Sequence, residues 1–241
     1  AAGKGSRLGS LTSKIPKCLL QIGEKTMLVR QLECLEKSGV EETAIIVGYL
    51  KEAIVGQIGN RFGRMKISYV ENAGFDQTNN IYSLWLARDY LNNGCFLLEC
   101  DLVFEDCLIE RLQESPGENL AVLDVFQKPM EGTVVTLDSS QIVSNMFLKK
   151  DQGPEFDYQD KFKTVNIYRF SSNLGHALAM RLDSYIEKGQ VHDFYEIALR
   201  DIVTEGAIAL YGFSITNQKW VEIDTPEDLE LARSLFERRK V

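Results

Sequence analysis

The first seventeen residues, AAGKGSRLGSLTSKIPK, constrain this chain more than any other stretch. Gly3, Gly5 and Gly9 are interspersed with Lys4, Arg7, Lys14 and Lys17, and no acidic residue stands among them. Glycine lets a backbone approach a phosphate closely and turn its N–H groups toward it. Arginine and lysine supply the charge that a partly desolvated polyphosphate needs. A bland surface turn also carries glycines, but an Arg and a Pro-Lys pair at these spacings favour a phosphate loop. The formal net charge of the chain is −8, so positive charge is concentrated here rather than spread. That argues against a general nucleic-acid binder, which needs a broad basic surface.

The loop is neither of the two commonest phosphate motifs. No Gly-Lys-Ser/Thr opens a helix, as a Walker loop requires. The third glycine of a dinucleotide fingerprint is missing as well, which argues against a dehydrogenase. Loops of this kind follow a strand, yet the chain opens directly with Ala1-Ala2-Gly3. The reading therefore expects a first strand ahead of the given sequence.

Downstream, apolar spacing predicts alternating helices and strands. Leu28, Gln31, Leu32 and Leu35 lie on one helix face, with Gly39 as a stop. Residues 43–48 read as a buried strand, 51–58 as a helix, 66–70 as a strand, 80–91 as a helix and 95–100 as a strand ending at Asp101. This alternation predicts an α/β fold with a mostly parallel sheet. From about Asn119 the pattern changes to closely spaced strands at 121–125, 132–137, 141–148 and 163–170, read as a small antiparallel flap. Helices return at 173–188 and 193–205, then a strand at 208–213. Thr225, Pro226 and Asp228 signal a last helix running to about Arg239.

The expected organisation is one domain over 1–241, with a nucleotide-binding part (1–118), a flap (119–170) and closing helices and strand (171–241). No apolar run is long enough to span a membrane, and no signal peptide is visible. The five cysteines form no CxxC pair and read as buried free thiols. A soluble, cytoplasmic protein is expected. The charged end at 236–241 leaves room for a further domain.

Carboxylates at strand ends supply the next signal. Asp101 closes the apolar run LLECD, and Asp224 closes WVEID. A carboxylate at the carboxyl edge of a parallel strand borders a ligand crevice. Magnesium bound to phosphates takes one or two such groups. Each aspartate also reads as a turn or helix-cap residue. Asn79-Asn80 before an apolar helix is, by itself, a good cap. Lys163 falls on one face of KTVNIY with Val165 and Ile167, opposite Thr164, Asn166 and Tyr168. It faces either an acceptor or solvent. Asp193 and Tyr195 in HDFYE offer charge and a ring face to an ammonium group. They read equally as a helix cap and a core aromatic.

AAGKGSRLGSLTSKIPKCLL resembles the signature of the sugar-nucleotide pyrophosphorylase superfamily, G-x-G-[ST]-R followed by P-K. TNNIYSLWLA, IIVGYLKE, HDFYE and WVEIDTPEDL resemble a narrower group, the cytidylyltransferases of phosphocholine, inositol phosphate and 2-aminoethylphosphonate. The resemblance implies a Rossmann-like nucleotidyltransferase fold, a mixed and mostly parallel sheet flanked by helices with an antiparallel acceptor flap. It implies that Ala1, Ala2, Gly3, Gly5 and Ser6 bind the nucleotide, with Asn79 and Asn80 near the base. Arg7 and Lys17 would neutralise the triphosphate, and Asp101 and Asp224 would hold Mg²⁺. Lys163, Asp193 and Tyr195 would meet the acceptor. The partners it implies are CTP and a small phosphonate or phosphate, first of all 2-aminoethylphosphonate. It leaves room for a homodimer and for a fused or partner aminotransferase.

The expected reaction is in-line attack of an already anionic acceptor oxygen on the α-phosphorus, which needs positioning and charge neutralisation rather than a covalent intermediate. No nucleophile elbow or triad is present. Phosphocholine cytidylyltransferase and sugar-1-phosphate nucleotidyltransferase are the alternatives among enzymes. A non-catalytic nucleotide sensor is the alternative from another class.

Overall fold

The computed structural model describes residues 1–237. In chain order it begins with the short strands β1 (Gln21–Ile22) and β2 (Lys25–Thr26). Then come α1 (Met27–Lys37), β3 (Glu42–Val47), α2 (Lys51–Ile58), β4 (Arg61–Phe62) and β5 (Met65–Glu71). α3 (Asn80–Leu86), β6 (Cys95–Leu98), β7 (Leu102–Phe104) and α4 (Leu108–Glu114) follow. Strands β8 (Leu120–Val125), β9 (Val134–Leu137), β10 (Val143–Phe147) and β11 (Phe162–Phe170) precede α5 (Ser172–Glu187) and α6 (Glu196–Glu205). The chain closes with β12 (Tyr211–Ser214), β13 (Trp220–Glu222) and α7 (Pro226–Phe236).

These elements form two compact units. The first takes residues 1–77, 99–114 and the chain from Gln218 onward; the second takes 78–98 and 115–217. The residues expected to form a flap thus share a unit with α3, α5 and α6, whereas α7 belongs with the amino-terminal loop.

In the first unit, β3 and β5 pair in parallel and β4 lies antiparallel on β5. β7 and β13 form a separate antiparallel pair. α1 follows the predicted spacing, burying Leu28, Gln31, Leu32 and Leu35. Its first turn is capped by Thr26, whose hydroxyl accepts from the Val29 N–H at 3.3 Å, a contribution of about 1 kcal/mol. Gly39, at φ 78°, provides the left-handed residue beyond its end. The core of this unit packs Leu8 of the amino-terminal loop with Ile22, Met27, Val103, Ile223 and Leu229, so the loop is anchored by an apolar side chain.

The second unit is built on a sheet of order β10-β9-β11-β8-β12, with β6 also paired to β11. β6 and β8 are each antiparallel to β11, so they run parallel to one another with β11 inserted between them. β12 is parallel to β8. The sheets are therefore mixed and flanked by helices, but parallel pairing among the described residues is confined to β3–β5 and β8–β12. The inserted β11 converts what βαβ reading takes for parallel neighbours into antiparallel ones.

β11 is buried on both faces from Lys163 to Tyr168. Its two-residue alternation is also interrupted: Asn166 adopts φ 60°, and the register against β8 shifts between Thr164 and Tyr168. Between these pairs β11 advances four residues and β8 two; extra residues of this kind re-aim the side chains around them, so the simple two-face assignment of KTVNIY does not hold through the strand. Elsewhere α3 stops at Leu86, because Ala87 leaves helical geometry (φ −100°, ψ 11°) and a tighter turn covers Arg88–Leu91. α6 begins three residues later than expected, at Glu196, leaving 192–195 as a loop. The predicted strand at 95–100 ends at Leu98. The expected helix end near Arg239 lies outside the described residues. Among the described residues no helix is long and apolar enough to cross a membrane. Cys18 and Cys34 are buried free thiols as expected, whereas Cys107 is exposed.

Two glycines separate backbone contact from helix propensity. A Cβ at Gly175 of α5 would collide with the Leu91 carbonyl, whereas one at Gly56 of α2 meets nothing within 4 Å. Gly175→Ala is expected to lower unfolding free energy by about 3 kcal/mol, and Gly56→Ala to raise it by about 0.5–1 kcal/mol. Urea denaturation of both variants checks this, and equal effects would contradict the packing described.

Candidate active site

The amino-terminal loop owes its course to a few contacts. Gly5 sits at φ 61°, and a Cβ on it would come within 3.1 Å of Lys17 Cβ and 3.3 Å of Thr12 Cγ2. Both the backbone angle and the close approach of Lys17 therefore require glycine there. The Gly5 carbonyl accepts from Thr12 Oγ1 at 3.0 Å and from the Leu8 N–H at 3.0 Å. The Ala2 carbonyl accepts from the Tyr49 N–H at 3.0 Å, and Gly48 admits it, since a Cβ there would lie 2.9 Å from that oxygen. The Tyr49 hydroxyl lies 3.1 Å from the Thr12 carbonyl and 3.0 Å from that of Ser13. Gly3 differs, because a Cβ on it would meet no atom of the chain within 4 Å. Space is open above the loop at that point.

Lys17 follows Pro16 in a short turn and gathers both sequence-predicted aspartates. Its ammonium donates to Asp101 Oδ2 at 2.8 Å and to Asp224 Oδ1 at 2.7 Å. Arg7 reaches the same Asp224 oxygen at 2.8 Å. Lys17, Asp101 and Asp224 side chains are 12%, 18% and 21% exposed, whereas Arg7 is 64% exposed. Four residues from three distant stretches thus form one nearly neutral cluster. Burial pulls the Lys17 ammonium toward neutrality, but the charges and hydrogen bonds of Asp101 and Asp224 outweigh it and hold its pKa well above the ordinary 10.5. Lysine here is a fixed positive charge.

Each aspartate is held through its backbone. The Ile223 N–H donates to the Asp101 carbonyl at 2.9 Å, tying the two carboxylate-bearing segments together. Asp228 caps α7, its Oδ2 accepting from the N–H groups of Asp224 at 3.0 Å and Thr225 at 2.8 Å. The helix cap read from the sequence is therefore also the device that fixes Asp224.

The donor set suits a hard divalent cation. One carboxylate oxygen from each of Glu99, Asp101 and Glu222 lies within 4.8 Å of the other two. Asp101 Oδ1 is itself buried without a hydrogen-bond partner, an oxygen that a cation would satisfy. Asp224 stands outside this group and is held by Lys17 and Arg7. Glu99 and Glu222 were not read as ligands from the sequence. Each stands two residues before an aspartate that closes an apolar run, but the group itself forms only where β7 pairs with β13.

The remaining candidates lie in the second unit. Asn79 and Asn80 use their side chains on the loop before α6: Asn79 Nδ2 donates to the His192 carbonyl at 3.2 Å, and Asn80 Oδ1 accepts from the Tyr195 N–H at 2.9 Å. Asn79 Oδ1 also accepts from the Asn80 N–H at 2.8 Å. The pair thus tethers the segment that carries Asp193 and Tyr195. Asp193 forms an ion pair with Lys150 at 2.8 Å. Tyr195 is buried, its ring 6.3 Å from that of Tyr168 and nearly perpendicular to it. Lys163 is 1% exposed, and its ammonium donates to the Thr164 carbonyl beside Gly132. The solvent-lysine alternative is therefore wrong, because β11 is covered on both faces.

Comparison with known families decides the class: residues 1–146 match the MobA-like NTP transferase domain. The chain belongs to that family. The glycine loop, Lys17 and Asp101 all lie within the matched part. The chain is 33% identical over 237 residues to the CMP-5'-(3-aminopropyl)phosphonate synthase of Streptomyces rubellomurinus, covering 98% of this chain and 38% of that protein. It is 28% identical over 231 residues to the 2-aminoethylphosphonate cytidylyltransferase of Lancefieldella rimae, covering 95% of this chain and 88% of the relative. The NTP transferase fold is also that of the CTP:phosphocholine cytidylyltransferase of Streptococcus pneumoniae, at TM-score 0.83 and 20% identity over 98% of this chain and 96% of the other.

The raised pKa of Lys17 makes a signed prediction. Its charge stabilises the folded state fully below the unfolded value of 10.5 and loses that effect as pH rises through the higher folded value. The stability difference between wild type and Lys17→Met is expected to be constant from pH 7 to about 10 and to shrink above it. Urea titrations across that range test this, and a difference that shrinks near neutrality would show that Lys17 is not held charged.

Proposed function

We propose that this NTP transferase moves CMP from CTP to a small phosphonate or phosphate head group. The first candidate is 2-aminoethylphosphonate, and its three-carbon homologue is the next to test. The observation that carries the reading is the buried Lys17 ammonium shared by Asp101 and Asp224 beside an open glycine loop. Such a cluster can receive a polyphosphate and a cation together without creating an uncompensated buried charge. The names of the relatives favour cytidine and an aminoalkylphosphonate.

In this reading the backbone of Ala1, Ala2, Gly3, Gly5 and Ser6 lies along the triphosphate, and Asn79 and Asn80 act near the base and the loop they tether. Lys17 exchanges one of its carboxylate bonds for a phosphate oxygen, and the exposed Arg7 moves with it from Asp224 to the leaving phosphates. Asp101 and Asp224, with Glu99 and Glu222 close by, would hold Mg²⁺, which when bound supplies charge neutralisation at the α-phosphate. An acceptor oxygen that is anionic near neutral pH attacks the α-phosphorus in line. The bond from that phosphorus to the bridging oxygen breaks, and pyrophosphate leaves with the electron pair. No general base is required, and Lys17 and Arg7 stabilise the charge that develops. Lys163, Asp193 and Tyr195 are assigned to the acceptor.

The deciding experiment is pyrophosphate release with Mg²⁺, each NTP being tested against 2-aminoethylphosphonate, 3-aminopropylphosphonate, phosphocholine, inositol 1-phosphate and glucose 1-phosphate. Release is expected with CTP and an amino-bearing phosphonate. Fast release with a sugar phosphate would overturn the acceptor assignment, and CTP binding without release to any acceptor would favour a sensor. Asp101→Asn and Asp224→Asn are each expected to lower kcat by about two orders of magnitude or more while the protein stays folded by circular dichroism. Lys163→Ala should raise acceptor KM or lower kcat without changing CTP affinity; an unaltered acceptor response would remove it from the site.

A further inference from the structure

Gln31 stands among the leucines on the buried face of α1 and is 5% exposed. Its side-chain nitrogen donates to the Glu99 carbonyl at 2.9 Å and to the Leu102 carbonyl at 2.9 Å. An amide nitrogen carries two protons, and both are used here. The two carbonyls bracket Cys100 and Asp101, in the gap where the chain has left β6 and not yet entered β7. Strand pairing therefore does not fix this gap from end to end. The Asp101 carbonyl between them is taken by the Ile223 N–H at 2.9 Å. Ile223 thus holds the segment from the β13 side, and Gln31 holds it from the helix.

From this clamp we infer that Gln31 is a positioning residue for Asp101, setting where its carboxylate stands relative to Lys17 and to a bound divalent cation. The inference rests on the reading of Asp101 as a cation ligand. Gln31 touches neither Asp101's carboxylate nor any substrate group, and it acts through the backbone on either side. Packing alone does not call for it, since Leu28, Leu32 and Leu35 fill the same face with apolar side chains. An apolar residue at 31 would leave two buried carbonyls without this donor, and the segment would shift to find others. A shift of a few tenths of an ångström matters little to folding but directly changes ligand geometry.

Gln31→Met keeps length and burial and removes both donors. The measurement is the Kd for Mn²⁺ at saturating CTP, read by water-proton relaxation enhancement, for wild type, Gln31→Met, Asp101→Asn and Leu35→Ala. Leu35 is buried on the same helix and controls for lost stability. Gln31→Met is expected to weaken Mn²⁺ binding by about tenfold or more, with metal-free CTP binding unchanged. In turnover, its kcat is expected to recover as Mg²⁺ is raised. Leu35→Ala is expected to lower the melting temperature without changing the Mn²⁺ Kd. If Gln31→Met does not fold, Gln31→Asn reads the same property, because its shorter amide cannot span both carbonyls. Wild-type Mn²⁺ affinity in the folded Gln31 variant, with loss in Asp101→Asn, overturns the positioning role alone. Wild-type affinity in Asp101→Asn overturns the ligand reading and this inference with it.

Discussion

Two carboxylates held against one ammonium repel each other unless that ammonium keeps its charge. In this protein the sharing group is Lys17, and the local arrangement of three distant segments depends on it. Gly5 is glycine because its backbone is left-handed and a Cβ there would crowd the Lys17 stem at 3.1 Å. Asp101 lies in a break between strands, and Asp224 lies just before a capped helix. Each position exposes a carboxylate that neither segment could neutralise by itself. Removing one partner from a buried pair leaves an unpaired charge, at about 3–5 kcal/mol. The cluster is therefore best understood as a single unit whose members have value only together.

That dependence also explains what could be read from the sequence. The glycine loop, Lys17, Asp101 and Asp224 were legible because each carries its signal locally: a charge among glycines, or an aspartate closing an apolar run. The capping box at Thr225 was legible for the same reason. What escaped depends on partners far along the chain. Glu99 and Glu222 become neighbours only when β7 and β13 pair. Gln31 looks like one more position on a helix face until the gap after β6 is placed beside it. The mixed sheet arises because β11 inserts between β6 and β8, and no local periodicity announces an insertion. Local alternation leaves Lys163 facing either an acceptor or solvent, and only the covering of β11 on both faces excludes solvent.

The two asparagines show a subtler limit. Asn79-Asn80 reads as a cap or a base contact, and the cap is present, with Asn79 Oδ1 accepting from the Asn80 N–H. Their remaining groups bind the backbone of residues 192 and 195. A short polar side chain before a helix has more hydrogen-bonding capacity than the cap uses, and the surplus here fixes a loop more than a hundred residues away. Sequence can show that the capacity exists, but not which loop takes it.

The same physics contrasts the two carboxylate sites assigned to ligands. Asp101 and Asp224 are paired with a lysine that is largely buried, so their ion pairs are costly to break and need an equally strong replacement. Asp193 is paired with Lys150, whose side chain is 54% exposed, and an exposed pair of this kind is worth about 0–1 kcal/mol. A cationic head group with even modest cation–π or hydrogen-bond support could displace Lys150, whereas displacing Lys17 takes a divalent ion together with a polyphosphate. On the proposed assignment, the first unit would respond to one demanding combination of charges, and the second would tolerate variation in the group it meets. If Asp193 meets the acceptor as proposed, the acceptor should be the more readily changed of the two substrates, because the ion pair it displaces is the weaker one.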